Sequence, residues 1–396
     1  MENFEFYSPT KFIFGKDAEM NLAKMLTENG AKKVLIHYGR SSAKESGLLP
    51  KMLGLLDESK ISYVELGGVE PNPKAGLVYK GIEICKKEKI DFIVAIGGGS
   101  VADSAKGIAL GACYDGDFWD FFVGKEVPKA ALPLGVIITL PATGSEGSNS
   151  SVITHENGNL KRGCNTDWNR PAFALMNPEL TYTLPPYQTA CGIVDIMSHV
   201  LERYFSPTEN VSLSDNLCEA ILRTMVQNAP IVMENPRDYD ARANIFWAGT
   251  LAHNNVVGTG RVQDWACHKM EHELSGMYEV AHGAGLAAVI PVYMKYQLAK
   301  APEKCAALFA RLAREVWGIS PTENDEIATA GAGIFAMENF FATLGMPRYF
   351  EDFGGNAKDI PELVSKVRMD PCGTLGNLNP LEPEDISNIY KMMCRP

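Results

Sequence analysis

Between residues 32 and 143 the chain repeats one pattern, a short β-branched run followed by a segment of helical spacing. The runs are "KKVLIHYG" (32–39), "ISYVELGG" (61–68), "DFIVAIGGGS" (91–100) and "LGVIITLPAT" (134–143). Between them lie "SSAKESGLLPKMLGLLDES", "KAGLVYKGIEICKKEK" and "VADSAKGIALGACY". Apolar runs of this length, closed by glycine or proline, suit strands of a parallel sheet covered on both faces. Strand–helix alternation predicts a doubly wound α/β layer. After "PAFALMNPELTYTLPP" (171–186) the pattern stops. From about residue 187 apolar residues recur at helical spacing, as at Leu213, Leu217, Ile221 and Met225, so the remainder reads as all-helical. Pro185 and Pro186 disfavour helix before them and make a joint. The expected organisation is an α/β domain over 1–185 and a helical domain over 186–396.

Composition narrows the function classes. A net charge of -11 argues against general nucleic-acid binding, which needs a basic face to neutralise phosphates. No stretch approaches the roughly 20 apolar residues of a membrane span. The start, "MENFEFYSPTKFIFG", lacks the basic segment and apolar run of a secretory signal. The nine cysteines are scattered, with no CxxC pair, which disfavours a disulfide framework or a thiolate zinc site. A reducing cytoplasm fits this usage.

Two loops carry the first chemical signal. "IGGGSVADSAKG" (96–107) stands where a strand gives way to a helix. Glycines allow a tight turn and let backbone N–H groups approach a phosphate, and the helix N-terminus adds positive potential. The loop is neither GxGxxG nor a P-loop, and a plain connecting turn is the alternative. "TLPATGSEGSNSS" (139–151) follows the fourth run with more glycines and hydroxyls. Ligands of open α/β sheets sit at the C-terminal ends of strands, so the pair favours a bound nucleotide. The first run ends in Gly39, Arg40, Ser41 and Ser42. An NAD site often places a carboxylate against the ribose 2′-OH, whereas an arginine and hydroxyls accept a 2′-phosphate. NADP(H) is expected ahead of NAD(H), a solvated surface charge being the alternative for Arg40.

Histidines carry the second. The chain has only seven, and three fall within "HKMEHELSGMYEVAHG" (268–283). His268 and His272 are spaced i,i+4, as are Asp195 and His199 in "GIVDIMSHVLERYFS". His282 lies beside Gly283 and Gly285, where a new segment can start. Aspartate with several histidines and no cysteine suits a divalent ion such as Fe(II) or Zn(II), with one position open for substrate. Polar residues of an ordinary helix face are the alternative. Spacing leaves open which of His268 and His272 is a ligand. His37, His155 and His253 lack such context and are assigned to structure.

"GGGSVADSAK", "LPATGSE", "NPELTYTLPPYQTACGIVDIMSHVLERY" and "CHKMEHELSGMYEVAHGAGLAAVIP" together resemble the iron-containing (group III) alcohol dehydrogenases. Within them the chain is most similar to the branch of butanol dehydrogenases and NADPH-dependent aldehyde reductases. "FWDFF" (118–122) and "GVEPNPK" (68–74) also resemble this branch, and the resemblance runs from "FGKDAEMNLAKML" to at least residue 300.

The resemblance implies an N-terminal Rossmann-like parallel-sheet domain and a C-terminal helical domain, an architecture like that of dehydroquinate synthase. A dinucleotide is expected in the cleft between them. The implied metal ligands are Asp195, His199, His268 and His282. His272 falls on the family's non-ligand histidine beside nicotinamide and substrate, a candidate proton relay. Gly98, Gly99, Ser100 and Asp103 fall at the pyrophosphate and nearby ribose. Thr139, Thr143, Ser148, Ser150, Lys161, Leu180 and Thr183 fall on positions lining the coenzyme. The chain departs from many members at Asn177, Ile196 and Glu271, none of them a ligand. The implied activity is interconversion of short-to-medium primary alcohols and aldehydes with NAD(P)H and one divalent ion. A zinc polyol dehydrogenase and a dehydroquinate synthase-like lyase are the alternatives, both disfavoured by the Asp/His set and "HGAGLA". The expected partner is a small-molecule alcohol or aldehyde, with no nucleic acid and no membrane, in a cytoplasmic homodimer.

Overall fold

The computed structural model describes residues 1–322 and 325–396. They form two compact units, Tyr7–Thr183 and Leu184–Pro396 together with Met1–Phe6. The N-terminal Met1–Phe6 segment thus groups with the helical unit, not with the sheet that the sequence reading assigned it to. Glu2 N donates to the Gly260 carbonyl there, a non-local contact that carries no sequence pattern.

The α/β unit contains β1 (Lys11–Phe14), β2 (Lys33–Gly39), β3 (Ser62–Val69), β4 (Phe92–Gly97), β5 (Leu134–Ile138), β6 (Ser150–His155), β7 (Leu160–Asn165) and β8 (Phe173–Met176). Its helices are α1 (Leu22–Glu28), α2 (Ser42–Glu45), α3 (Leu48–Glu58), α4 (Ala75–Glu88), α5 (Gly99–Ala112) and α6 (Trp119–Phe122). The six-stranded sheet has the order β1-β8-β5-β4-β2-β3, parallel throughout. β6 and β7 form a separate antiparallel hairpin. The expected runs are all strands, but β4 and β5 stop at Gly97 and Ile138, where the two glycine-bearing loops begin. The sequence reading missed β1, β8 and the hairpin. β8 is only four residues long yet fully buried between β1 and β5.

β2 and β4 are apolar because both faces are covered. Val34, Ile36, Phe92, Val94 and Ile96 share a core with Leu22 and Leu26 of α1 and Met52 and Leu56 of α3. His37 alternates into the other face, fully buried, with Nδ1 2.8 Å from the Leu66 carbonyl and Nε2 2.9 Å from Ser104 Oγ. Burial pushes its pKa down to about 4, so it is neutral, donating from Nδ1 and accepting at Nε2. It is structural, pinning β2 to β3 and α5. The strand order also locates a crevice. The chain leaves β2 for β3 on one side and β4 for β5 on the other, so the ends of β2 and β4 flank the point where the order reverses.

The helical unit contains α7 (Pro186–Tyr204), α8 (Ser212–Glu234), α9 (Tyr239–His253), α10 (Ala266–Tyr278), α11 (His282–Lys300), α12 (Pro302–Trp317), α13 (Glu326–Thr343), α14 (Ile360–Lys366) and α15 (Pro383–Met392). Pro186 occupies the first turn of α7, where a missing N–H costs nothing. α8 forms where periodicity placed it, but its cited stripe is only half core: Ile221 and Met225 are buried, Leu213 and Leu217 exposed. A pure i,i+4 row drifts about 40° around the helix per step, so four members cannot share one face. Ile193, Met197, Val200 and Leu201 of α7 join Met270, Leu274, Leu286, Val289 and Ile290 in one core. Among the described residues no helix is long and apolar enough to cross a membrane.

Candidate active site

The helical unit brings the Asp/His set together. α7 carries Asp195 and His199, 3% and 4% exposed. α10 carries His268, Glu271 and His272, and α11 begins at His282. α10 is ended by Glu279 in the left-handed conformation, and Ala281 is extended, which re-aims the chain so that His282 opens a new helix. The glycines after it permit the close seating. A Cβ on Gly283 would stand 2.0 Å from the Cys191 carbonyl oxygen of α7, and one on Gly285 2.6 Å from Glu271 Oε1.

Donor atoms of Asp195, His268 and His282 lie within 4.8 Å of one another. His282 Nε2 is 3.7 Å from Asp195 Oδ1, and His199 Nε2 is also 3.7 Å from that oxygen. The His199 ring lies 4.9 Å from that of His268, centroid to centroid, but its nitrogens stand outside the close group. His199 is held well below its ordinary pKa by burial and then by His253 and His268, so it is neutral, as a ligand must be. His268 gives the sharpest test of fit. Its Nδ1 is 3.1 Å from Glu202 Oε2, while its Nε2 is buried without a hydrogen-bond partner. Such a nitrogen costs free energy unless something accepts its lone pair, and a divalent ion does so. The residues present therefore fit a divalent ion.

His272 is half-buried, its ring 5.5 Å from that of His282. With Glu271 and His282 it makes a second group of close donors. Spacing alone could not separate His268 from His272; in the structure His268, not His272, shares the close group with Asp195. Sequence reasoning missed two neighbours. Glu202 lies one turn beyond His199 on α7, the helical spacing being the signal that could have found it. His253, set aside as structural, packs its ring 4.1 Å from that of His199, and it has no spaced partner on α9 to reveal it.

In the α/β unit, Gly39 ends β2 with Arg40 and Ser41 after it, Gly98 caps α5 after β4 with Gly99 and Ser100 opening the helix, and Thr139 and Thr143 follow β5. Leu180 and Thr183 follow β8, so all these lie at the C-terminal edge of one parallel sheet. The first N–H groups of α5 have no acceptor within the helix and carry its positive end. Lys161 lies on β7, opposite Thr154 in the hairpin.

Asp103 does not face outward. Its Oδ1 accepts from Ser145 Oγ at 2.6 Å and its Oδ2 from Val152 N at 3.0 Å. Burial raises its pKa against the pull of Lys106. Fully buried Lys106 donates to the carbonyls of Ser148 and Ser150, at 3.1 and 2.7 Å. Burial lowers its pKa to about 8. Asp103 and Lys106 thus rivet the 144–152 loop onto α5. Lys106 had no sequence signal, because a lysine in a helix reads as solvated. Arg40 is ion-paired with Glu70, and both side chains are largely exposed.

Comparison with known proteins adds the lineage. Residues 9–178 match the model described as iron-containing alcohol dehydrogenase, and residues 189–394 the Fe-containing alcohol dehydrogenase family, C-terminal. The chain is 40% identical to NADH-dependent butanol dehydrogenase A of Clostridium acetobutylicum, covering 99% of each chain. It is 36% identical to the NADPH-dependent aldehyde reductase YqhD of Escherichia coli, again over 99% of each. The crystal structure of a butanol dehydrogenase A from Thermotoga maritima, described as NADH-dependent, superposes with a TM-score of 0.95 at 37% identity, over 100% of this chain and 99% of that one. With both units matched and relatives of this identity along its length, the chain belongs to the iron-containing alcohol dehydrogenase family, in the butanol dehydrogenase and aldehyde reductase branch.

Proposed function

We propose that this alcohol dehydrogenase holds one divalent ion, Fe(II) or Zn(II), on Asp195, His199, His268 and His282, and interconverts short-to-medium primary alcohols, such as butanol, with their aldehydes. The observation that carries this is the group of Asp195, His268 and His282 donors within 4.8 Å, with the buried Nε2 of His268 lacking a hydrogen bond. A bound ion supplies a Lewis acid for the substrate oxygen, and the nicotinamide supplies or takes the hydride.

The chain's own residues do the rest. The N-terminal N–H groups of α5, with Gly98 and Gly99 bringing backbone close, bind the pyrophosphate. Ser100, Thr139, Thr143, Ser148, Ser150, Lys161, Leu180 and Thr183 line the coenzyme, and Asp103 acts through the loop it pins. His272, half-buried beside His282, gives the oxygen its proton as an aldehyde is reduced and takes it back as an alcohol is oxidised. The α/β unit is thus the dinucleotide-binding domain and the helical unit the metal-binding one, in a homodimer.

NADPH is proposed as the preferred coenzyme, because the turn after β2 offers Arg40, Ser41 and Ser42 and no carboxylate to repel a 2′-phosphate. A second reading, NADH, is favoured by the pairing of Arg40 with Glu70, since a phosphate must compete with that carboxylate. Rates with butanal and each coenzyme decide. A higher kcat/KM with NADPH, lost in Arg40→Ala, supports the first; a higher value with NADH supports the second. Failure to reduce any primary aldehyde of the C2–C8 range with either coenzyme, in protein carrying an ion, would refute the assigned substrate class.

A further inference from the structure

Two of the candidate ligand histidines have a buried glutamate behind them. Glu202 and Glu271 are both fully buried, one on α7 and the other on α10. Glu202 Oε1 accepts from Cys267 N at 2.7 Å, and its Oε2 stands 3.1 Å from His268 Nδ1 and 3.3 Å from His268 N. It therefore grips the first turn of α10 by backbone and ring together. Glu271 Oε2 is hydrogen-bonded to His282 Nδ1, and its Oε1 to the Ser275 hydroxyl. Gly285 leaves the space its carboxylate occupies. Both rings are therefore held at Nδ1, and on both the other nitrogen faces the donor group: His282 Nε2 is 3.7 Å from Asp195 Oδ1, and His268 Nε2 is the buried nitrogen without a hydrogen bond.

A carboxylate accepts and does not donate, so a neutral imidazole facing it must carry its proton on Nδ1 and its lone pair on Nε2. We propose that Glu202 and Glu271 are positioning residues that fix His268 and His282 in the Nδ1–H tautomer and orient both Nε2 atoms toward one ion, an inference that rests on the ion site proposed above. The close group Glu271, His272 and His282 is then no second ion site, because Glu271 is committed to the proton of His282. His199 is held differently. Its Nδ1 is buried without a hydrogen bond, and its ring is set by packing against His253 and His268.

The test uses chelator-treated full-length protein titrated with Co(II), read by its visible absorption. The unaltered chain is expected to take up one equivalent. Glu202→Gln and Glu271→Gln keep an acceptor oxygen and are expected to weaken Co(II) affinity about 10-fold; Glu202→Leu and Glu271→Leu, which keep none, about 100-fold. Glu219→Gln is the control, a glutamate equally buried but bonded to Tyr204 and Arg311, and should leave affinity unchanged. Because the leucine variants can fail to fold, 15N spectra of the histidine rings in the unaltered, ion-free protein give an independent reading. Nδ1–H tautomers at His268 and His282 support the proposal, and Nε2–H tautomers overturn it. Unchanged affinity in the variants, or two equivalents of Co(II) with one lost in Glu271→Gln, overturns the positioning role alone. No uptake by the unaltered chain overturns the ion site and this role with it.

Discussion

Replacing Gly99 with alanine separates two accounts of the glycine loop. On helix propensity alone the change should stabilise, though by less than the roughly 1 kcal/mol that favours alanine over glycine in a helix interior, because Gly99 is the first residue of α5. The structure gives the opposite sign. A Cβ on Gly99 would lie 2.2 Å from Thr143 Oγ1, 2.5 Å from its Cγ2 and 2.9 Å from its Cβ. Carbon contacts are comfortable at roughly 3.5–4.0 Å, so the loop must retreat by about 1 Å. Overpacking of this kind costs about 1–3 kcal/mol. For a unit of this size that lowers the melting temperature by roughly 2–4 °C per kcal/mol. Thr143→Ala alone removes Oγ1, which accepts from Ser145 N at 3.2 Å, and should cost only about 1 kcal/mol. In the double variant the two shortest contacts are gone and only the 2.9 Å contact with the Cβ of residue 143 remains, so its melting temperature should fall by clearly less than the sum of the single falls. Thermal melts followed by far-UV circular dichroism measure all four proteins. Additive losses, or a more stable Gly99→Ala, would mean that the loop does not press on the helix here.

Other substitutions probe the rest of the structure. His37 has a folded pKa of about 4 against an ordinary 6.5, so between these values the unfolded chain binds a proton that the folded chain does not. Stability should therefore fall as pH drops through that window, by up to about 3 kcal/mol, and denaturant melts of His37→Leu should show a shallower fall. Gly283→Ala drives a methyl to 2.0 Å from the rigid Cys191 carbonyl, so it should destabilise more than Gly99→Ala and lower ion content measured by atomic emission. His268→Ala and His282→Ala should lose both ion and activity. His272→Gln should keep the ion while kcat falls about 10²–10⁴-fold, and loss of ion from it would make His272 a ligand instead.

What the sequence disclosed followed the strength of its local signals. β2, β4 and β5 were legible because their two buried faces make continuous apolar runs, and β3, a partly exposed edge strand, because its short run is closed by glycines. β1 and β8 were not, since a four-residue strand has no room for a period, and the burial of β8 comes from neighbours distant in sequence. The pairing of Asp195 with His199 was legible as helical spacing, and so was the start of a new segment at His282. Which histidine of α10 turns inward was not, because that depends on how α10 crosses α7 and α11. Asp103 illustrates a second limit. The resemblance places it at the pyrophosphate and nearby ribose, and nothing in the sequence signals that its carboxylate accepts from Ser145 Oγ and Val152 N. Residue type fixed that a carboxylate stands there; only packing decides which way it points.

Ion dependence of aldehyde reduction tests the central claim most directly. Protein stripped by chelator and returned anaerobically to Fe(II) or Zn(II) would be assayed with butanal by the loss of reduced-nicotinamide absorbance, with bound ion counted in the same samples. Expected is activity lost on stripping and restored in proportion to one ion per chain by one of the two metals. Full activity in the stripped protein, or an ion bound at one per chain that restores nothing, would contradict it.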